Sequence, residues 1–591
     1  MAVWELKQQV KSGNRISQVS WTDGTALDPY YWLEHSFQYS ANINCDDELH
    51  GIKLSNKADF VSHFSKCQLV SCWDNGVMAL EVDNDDGAIL RPQKFDEETF
   101  YTWGTQIWNQ TNPDTDWEVC PWVVFQDFFW YGSTYTDGND VTNALYAQNV
   151  AADGSSFLSV PYDHTDYTDE SISDYTTATV PMKWAITAML NYNNTRLVVA
   201  CWTELRVYYP ELDNYNPNTN PDWWSSVPLL QRKTWWKKVL DYEAGVTIVW
   251  LTCTFEYLKV WTVDEGWSSK VYFYQWNNNL RSTFVYNLVD LTGERVLRVY
   301  SLNGTDYFTT SIDGTDGYIN LNKLVWATPV QLFHQRAWLD PLDINTKAPY
   351  FVWPTGINAA YKSGKFYIAD AYGVFQFTQS QTSYDKGYMK WLLTDESNPL
   401  SRNWRQVYWV CENKGFLYVS DEDGCWKMRL YDTWVDGYQE KGVLISREFE
   451  GKEWGTVTKM LDEVRMNFEL NPWTNYNGSI DIYVSPNNLR KTTDSFNTSD
   501  NWHHVMHIDQ TNINTRTEKS NLFNNMGKNS GSSFKFDWQT ITYAIVITRY
   551  KKNNPNTAQE RAYHATPIVR QLDLKYHCKD KTNNVYDITN D

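Results

Sequence analysis

The chain has 591 residues, 16% of them aromatic, with 31 Trp and 39 Tyr, and it carries a net charge of −21 from 51 basic and 72 acidic residues. So acidic a surface repels phosphate, which excludes ordinary DNA or RNA recognition but suits a conduit through which DNA slides without sticking; charge alone does not choose between that and plain solubility. No long helical period and no heptads are present, which excludes coiled-coil assembly, and the length exceeds what one hydrophobic core holds.

Residues 1–55 read as an amino-terminal strand or docking segment. Met1 to Val10 lacks the apolar run of a signal peptide, and no stretch approaches the ~18 apolar residues of a membrane span, so synthesis in a cytosol without membrane insertion is expected. Residues 56–438 then show hairpin units. Leu69 to Leu80, Val123 to Trp130, Leu197 to Tyr208 and Val246 to Trp261 each have a strand, turn, strand outline. Asn303 to Asp313 places its Gly and Tyr 60 residues before Gly364 and Tyr367. The clearest pair is Ser363 to Phe377 and Lys414 to Met428. Gly364/Gly415, Tyr367/Tyr418, Asp370/Asp421, Gly373/Gly424 and Phe375/Trp426 all stand 51 residues apart. Each copy is an apolar run, an Asp-x-x-Gly turn and a second alternating run, which is a β-hairpin. Units of roughly 40 to 50 residues built from hairpins match propeller blades. The expectation is an all-β chain with a β-propeller of five to seven blades, carrying insertions, across 56–438; unrelated hairpins in a large β-sandwich are the alternative.

Two insertions interrupt the units. Tyr162 to Asp174 is acidic but lacks the ordered D-x-D-x-D-G spacing of a calcium loop, so it reads as a solvated loop. The second runs through Trp223 and Trp224 to Trp235, Trp236, Lys237 and Lys238. Trp pairs beside basic residues in an acidic protein suit contact with membrane headgroups or a partner subunit; aromatics covering a sheet edge are the plainer reading.

From 439 to 591 the texture changes. Val464, Met466 and Phe468, and again Ile480, Ile482 and Val484, alternate with polar residues, the period of a half-buried strand. With Tyr543 to Tyr550 and Pro567 to Tyr576 they make enough strands for a carboxy-terminal β-sandwich. Nine cysteines without a C-x-x-C pair read as buried small hydrophobes, not as disulfides or a zinc site. Trp502 to His507 contains three His. On a regular strand His503, Val505 and His507 share a face, and without a carboxylate or Cys nearby this is a poor metal site. No H-E-x-x-H, G-x-S-x-G or Walker loop occurs, and no catalytic residue, metal or cofactor is expected. Carboxylate pairs for glycoside hydrolysis stay open, because their separation cannot be read from sequence.

The order of modules, together with Leu444 to Phe449, Leu461 to Arg465, Ile480 to Ser485 and Thr566 to Tyr576, resembles structural proteins at the distal end of bacteriophage tails. Closest in kind are tail nozzle proteins of short-tailed phages, whose propellers encircle the DNA exit channel. The resemblance implies a virion structural protein of the tail tip, nozzle or hub, assembled in the host cytoplasm. It implies a ring of copies, adaptor and fibre proteins as partners, DNA passing without sequence-specific binding, and transient contact with the host membrane. The second reading is a carbohydrate-binding or glycan-cleaving propeller for host-surface recognition, with exposed Trp and Tyr as stacking platforms.

Overall fold

The computed structural model describes strands and adjoining turns between residues 14 and 578; the longer segments outside the description are 22–36, 93–104, 109–121, 149–161, 164–185, 210–235, 276–284, 348–358, 392–408, 488–501, 523–536 and 550–565. The chain is all-β, and every regular element among the described residues is a strand. That follows from a sequence rich in aromatic and β-branched residues, which pack on a pleated surface better than on a helix. No helix among the described residues is long and apolar enough to cross a membrane.

Between residues 58 and 429 lie seven four-stranded antiparallel sheets, among the described residues. Six are continuous meanders, at 67–108, 122–163, 186–241, 246–291, 294–336 and 359–391. The seventh takes three strands from Trp409–Asn413, Phe416–Ser420 and Cys425–Arg429, and its fourth from Ala58–Ser62, which precedes the first sheet in sequence. Both copies of the 51-residue repeat form hairpins, and each supplies the second and third strands of its sheet. Turn chemistry fixes the second copy. Lys414 and Gly415 both have positive φ, 52° and 83°, as a two-residue turn matched to strand twist requires. At the far end, Asp421 accepts hydrogen bonds from the Gly424 amide (3.0 Å) and the Trp426 indole (2.9 Å).

The sheets share a feature that the sequence hides. In four of them the register between third and fourth strands slips by one residue, passing over Val239, Tyr286, Leu332 and Lys390. Ala58–Ser62 slips in the same way on Cys425–Arg429, passing over Val61. A bulge of this kind bends and twists the strand that carries it. Ala58–Ser62 therefore occupies the place of a fourth strand down to its irregularity.

Neighbouring sheets meet through their first strands. Ile186–Tyr192 contacts Val246–Cys253, which contacts Glu294–Leu302. Trp409–Asn413 of the seventh sheet lies against Cys67–Cys72 of the first. There Trp409, Cys411, Tyr418 and Cys425 share one buried cluster with Leu69, Val77 and Ala79.

Two five-stranded sheets make a second body of strands. One contains Asn14–Gln18, Ile568–Cys578, Lys459–Glu469, Glu518–Leu522 and Asp537–Trp538; the other orders Phe37–Ala41, Lys441–Ser446, Ile541–Thr548, Ser479–Pro486 and His503–Ile508. Their inner faces share a core that includes Val464, Met466, Phe468, Ile480, Ile482, Val484, Ile545 and Leu574. The alternating residues of the sequence are thus its inward-facing side chains. Within residues 1–55, the described strands Asn14–Gln18 and Phe37–Ala41 pair with Ile568–Cys578 and Lys441–Ser446. The reason is burial, since Trp21, Phe37 and Ile43 complete the same core.

Candidate functional site

Of the six residues expected to contact a membrane or partner, Trp223, Trp224 and Trp235 lie outside the described residues, as does most of the acidic insertion 162–174. Trp236, Lys237 and Lys238 fall on Trp236–Asp241, the fourth strand of its sheet. The Lys238 ammonium lies 3.2 Å from Asp241 and 3.6 Å from Glu204. The hydrogen bond to Asp241 raises its pKa, so this charge is paired within the sheet. Beneath it Glu204 and Arg206 form a buried ion pair at 2.5 Å.

A second buried pair joins adjacent sheets. Lys259 reaches Asp306 at 2.6 Å; both side chains are almost completely buried. The same carboxylate oxygen accepts from Thr252 at 3.1 Å, and Thr252 accepts from the Trp261 indole at 3.0 Å. The pattern is that of a structural pin between sheets, with every donor on the fourth sheet and the acceptor on the fifth.

Two turn tips carry exposed tryptophans among the described residues. Trp326 is 90% exposed and Trp202 46%, each at positive φ (59° and 54°) in a tight hairpin turn. A bulky residue in this region of backbone space is uncommon.

Among the described residues, one group of metal-competent side chains stands on the outer face of the carboxy-terminal sheet that contains Ser479–Pro486 and His503–Ile508. Ser479–Pro486 and His503–Ile508 are neighbours, with Ile482 opposite Met506 but Tyr483 opposite His504. Val505 is the bulged residue. The strict alternation expected for this strand therefore fails: Val505 and Met506 are both buried, while His504 and His507 come to one face and His503 pairs with the core residue Val484. The carboxylate missing from the sequence reading is Asp481, on the adjacent strand. Its Oδ1 lies 2.9 Å from His504 Nε2 and 2.6 Å from His507 Nδ1. His507 Nε2 faces Asp509 Oδ2 at 3.2 Å. The nearest ligand atoms of Asp481, His504 and His507 all lie within 4.8 Å of one another.

Electrostatics tie the group together. Burial favours neutral Asp481, but the hydrogen bonds from both imidazoles outweigh it and hold the carboxyl below its ordinary 3.8. Burial likewise opposes charge on His507, yet Asp481 and Asp509 raise its pKa above the usual 6.5. Tyr483, ring centroid 4.9 Å from His504, is pushed up to about 12 by burial and by the Asp481 charge. Burial lowers Lys441, which Asp481 partly offsets.

Six cysteines whose side chains are described are free, and five of them are buried. That agrees with their reading as small hydrophobes.

No protein-family model matches the chain, and no curated protein matches it. Solved structures resemble it distantly. BamB from Moraxella catarrhalis is 8% identical, with 65% of this chain and 92% of that one covered and a TM-score of 0.31. BBS1N in complex with ARL6DN is 11% identical, with 64% and 97% covered and a TM-score of 0.34. A Trypanosoma rangeli sialidase in complex with 2,3-difluoro-KDN is 10% identical, with 95% of both chains covered and a TM-score of 0.32. Likenesses at this level carry no argument about function.

Proposed function

We propose that the seven sheets close into a seven-bladed β-propeller, that the two carboxy-terminal sheets form a β-sandwich, and that the chain is an architectural component of a phage tail tip. The closing strand Ala58–Ser62 carries this reading. Tying the end of a circular array to its beginning makes a rigid disc, which is what a part that bears load without doing chemistry needs. The first strands, which contact one another from sheet to sheet, line the axis in this arrangement.

The segments that carry the resemblance to tail nozzle proteins fall on strands of the two carboxy-terminal sheets. Leu444 to Ser446 and Ile480 to Ser485 lie on two strands of one carboxy-terminal sheet; Leu461 to Arg465 and Ile568 to Tyr576 lie on paired strands of the other. In this role copies of the chain assemble as a ring, dock adaptor and fibre proteins, and leave an acidic lumen through which DNA passes unbound. The role calls for no catalytic residue.

The test is negative-stain microscopy of the purified chain, with and without tails lacking it. Rings, or restored tail tips, support the proposal. Monodisperse monomers that leave such tails incomplete refute it. A glycan-binding propeller is the second reading, favoured by one observation, the exposed Trp326 and Trp202 at turn tips. Monomers that bind glycans through Trp326, with binding lost in Trp326→Ala, support that reading instead.

A further inference from the structure

We infer that Asp481, His504 and His507 form a binding site for a divalent transition-metal ion of the zinc type on the outer face of the carboxy-terminal sheet. Two imidazole nitrogens and one carboxylate oxygen are the donor set such an ion takes, and here they converge from adjacent strands. Three protein ligands leave at least one position for water, and the half-exposed rings give the ion a way in.

The geometry of His507 carries the inference. Both of its ring nitrogens face carboxylate oxygens, Nδ1 toward Asp481 and Nε2 toward Asp509. A neutral imidazole has one N–H and one lone pair, so it satisfies only one of these contacts. The other needs a cation between nitrogen and oxygen, either a proton or a metal ion. In the neutral ring, with Asp509 accepting the Nε2 proton, the Nδ1 lone pair points at the Asp481 oxygen and a metal ion takes the place of the second proton. This is the arrangement in which an outer carboxylate fixes the tautomer of a metal-bound histidine. His504 Nε2 meets the same oxygen from the other side of the bulge. The contacts of 2.6 and 2.9 Å are hydrogen-bond distances. Tetrahedral zinc, with ligands at about 2.0–2.1 Å, requires them to open by about 0.4 to 0.8 Å, within reach of a side-chain torsion at a half-exposed site.

Elsewhere on the same body of strands, His577 faces one carboxylate among the described residues, Asp462 at 2.7 Å. It has one ring and one carboxylate, and serves as the internal control.

The experiment uses the full chain, stripped with a chelator and titrated with Zn2+ alone by calorimetry, with Co2+ absorption as a second readout. One high-affinity equivalent per chain is expected, with the d–d bands of a low-coordinate Co2+ complex. His504→Gln and Asp481→Asn each weaken binding by more than about 100-fold, Asp509→Asn weakens it by about 10- to 100-fold, and His577→Gln leaves it unchanged. Circular dichroism confirms that each variant retains its strands. Should a variant misfold, the Co2+ spectrum of the unmodified chain still decides, because an octahedral aquo-type spectrum overturns the site. Stoichiometric binding that survives His504→Gln in a folded chain overturns it too, as does the absence of binding in the unmodified chain.

Discussion

Gly424→Ala strikes at the join between the beginning and end of the sheet array. Gly424 has φ +143°, and a Cβ built there sits 2.0 Å from the carbonyl oxygen of Ser62, in Ala58–Ser62. Relieving that contact moves backbone by roughly 1.4 Å or more, too far for the ladder to follow. Strain at this φ costs about 1–3 kcal/mol. Displacing Ala58–Ser62 also separates Phe60 from Trp426, whose rings meet edge-on at 5.1 Å, a contact worth about 0.5–1.5 kcal/mol. The local loss is therefore about 2–4 kcal/mol, concentrated at 58–62 and 425–429. Hydrogen exchange followed by mass spectrometry reads it directly: protection of those two segments falls at least about tenfold, since about 1.4 kcal/mol is a factor of ten. Tyr257–Asp264, three sheets away, keeps its protection. Gly304→Ala is the matched control, with φ +80° and no atom within 4 Å of its added Cβ. It carries backbone strain alone, about 1–2 kcal/mol, and leaves 58–62 protected. Unchanged exchange at 58–62 in Gly424→Ala would refute the reasoning.

Asp306→Ala strands the Lys259 ammonium in the interior and is expected to cost about 3–5 kcal/mol in urea unfolding, whereas Lys259→Met with Asp306→Leu comes within about 1 kcal/mol of the parent or exceeds it. A double variant as damaged as the single one contradicts the pin. Alkaline stability depends on Tyr242, whose hydroxyl lies 2.7 Å from that of Tyr274 and whose pKa burial raises far above the ordinary 10.0. A raised folded-state pKa gives stability that is fully present below pH 10 and is lost as pH climbs above it, so Tyr242→Phe flattens the decline above pH 10 while changing little at pH 7. Equal alkaline slopes for the two proteins would exclude Tyr242 as the cause. Trp326→Gly removes a bulky residue from a left-handed turn position at 90% exposure; it is expected to leave thermal stability unchanged or improve it by up to about 1 kcal/mol. A clear loss of stability means that the side chain packs more than its exposure indicates.

What the sequence made legible was local. The 51-residue repeat could be read because its turns demand particular residues: Gly415 for a positive φ, Asp421 to hold the Gly424 amide and the Trp426 indole. The alternation of Val464, Met466 and Phe468 could be read because one face of the strand is core. Pairings over long separations were not legible. Ala58–Ser62 is a five-residue strand whose partner lies more than 350 residues away, and nothing in Ala-Asp-Phe-Val-Ser announces that partner. Asn14–Gln18 and Phe37–Ala41 likewise pair with strands more than 400 residues away in sequence. The Asp481 group failed by a single residue. A bulge at Val505 exchanges His503 for His504 on the outer face and brings in a carboxylate from another strand, and such one-residue slips leave no mark in a hydropathy pattern.

Single-particle electron cryomicroscopy of the purified chain tests the central claim most directly. The account predicts a disc of seven radial four-stranded sheets, with residues 58–62 lying along 425–429 as the outermost strand of the last. An open arc, a three-stranded seventh sheet, or residues 58–62 placed on the carboxy-terminal sheets would contradict it.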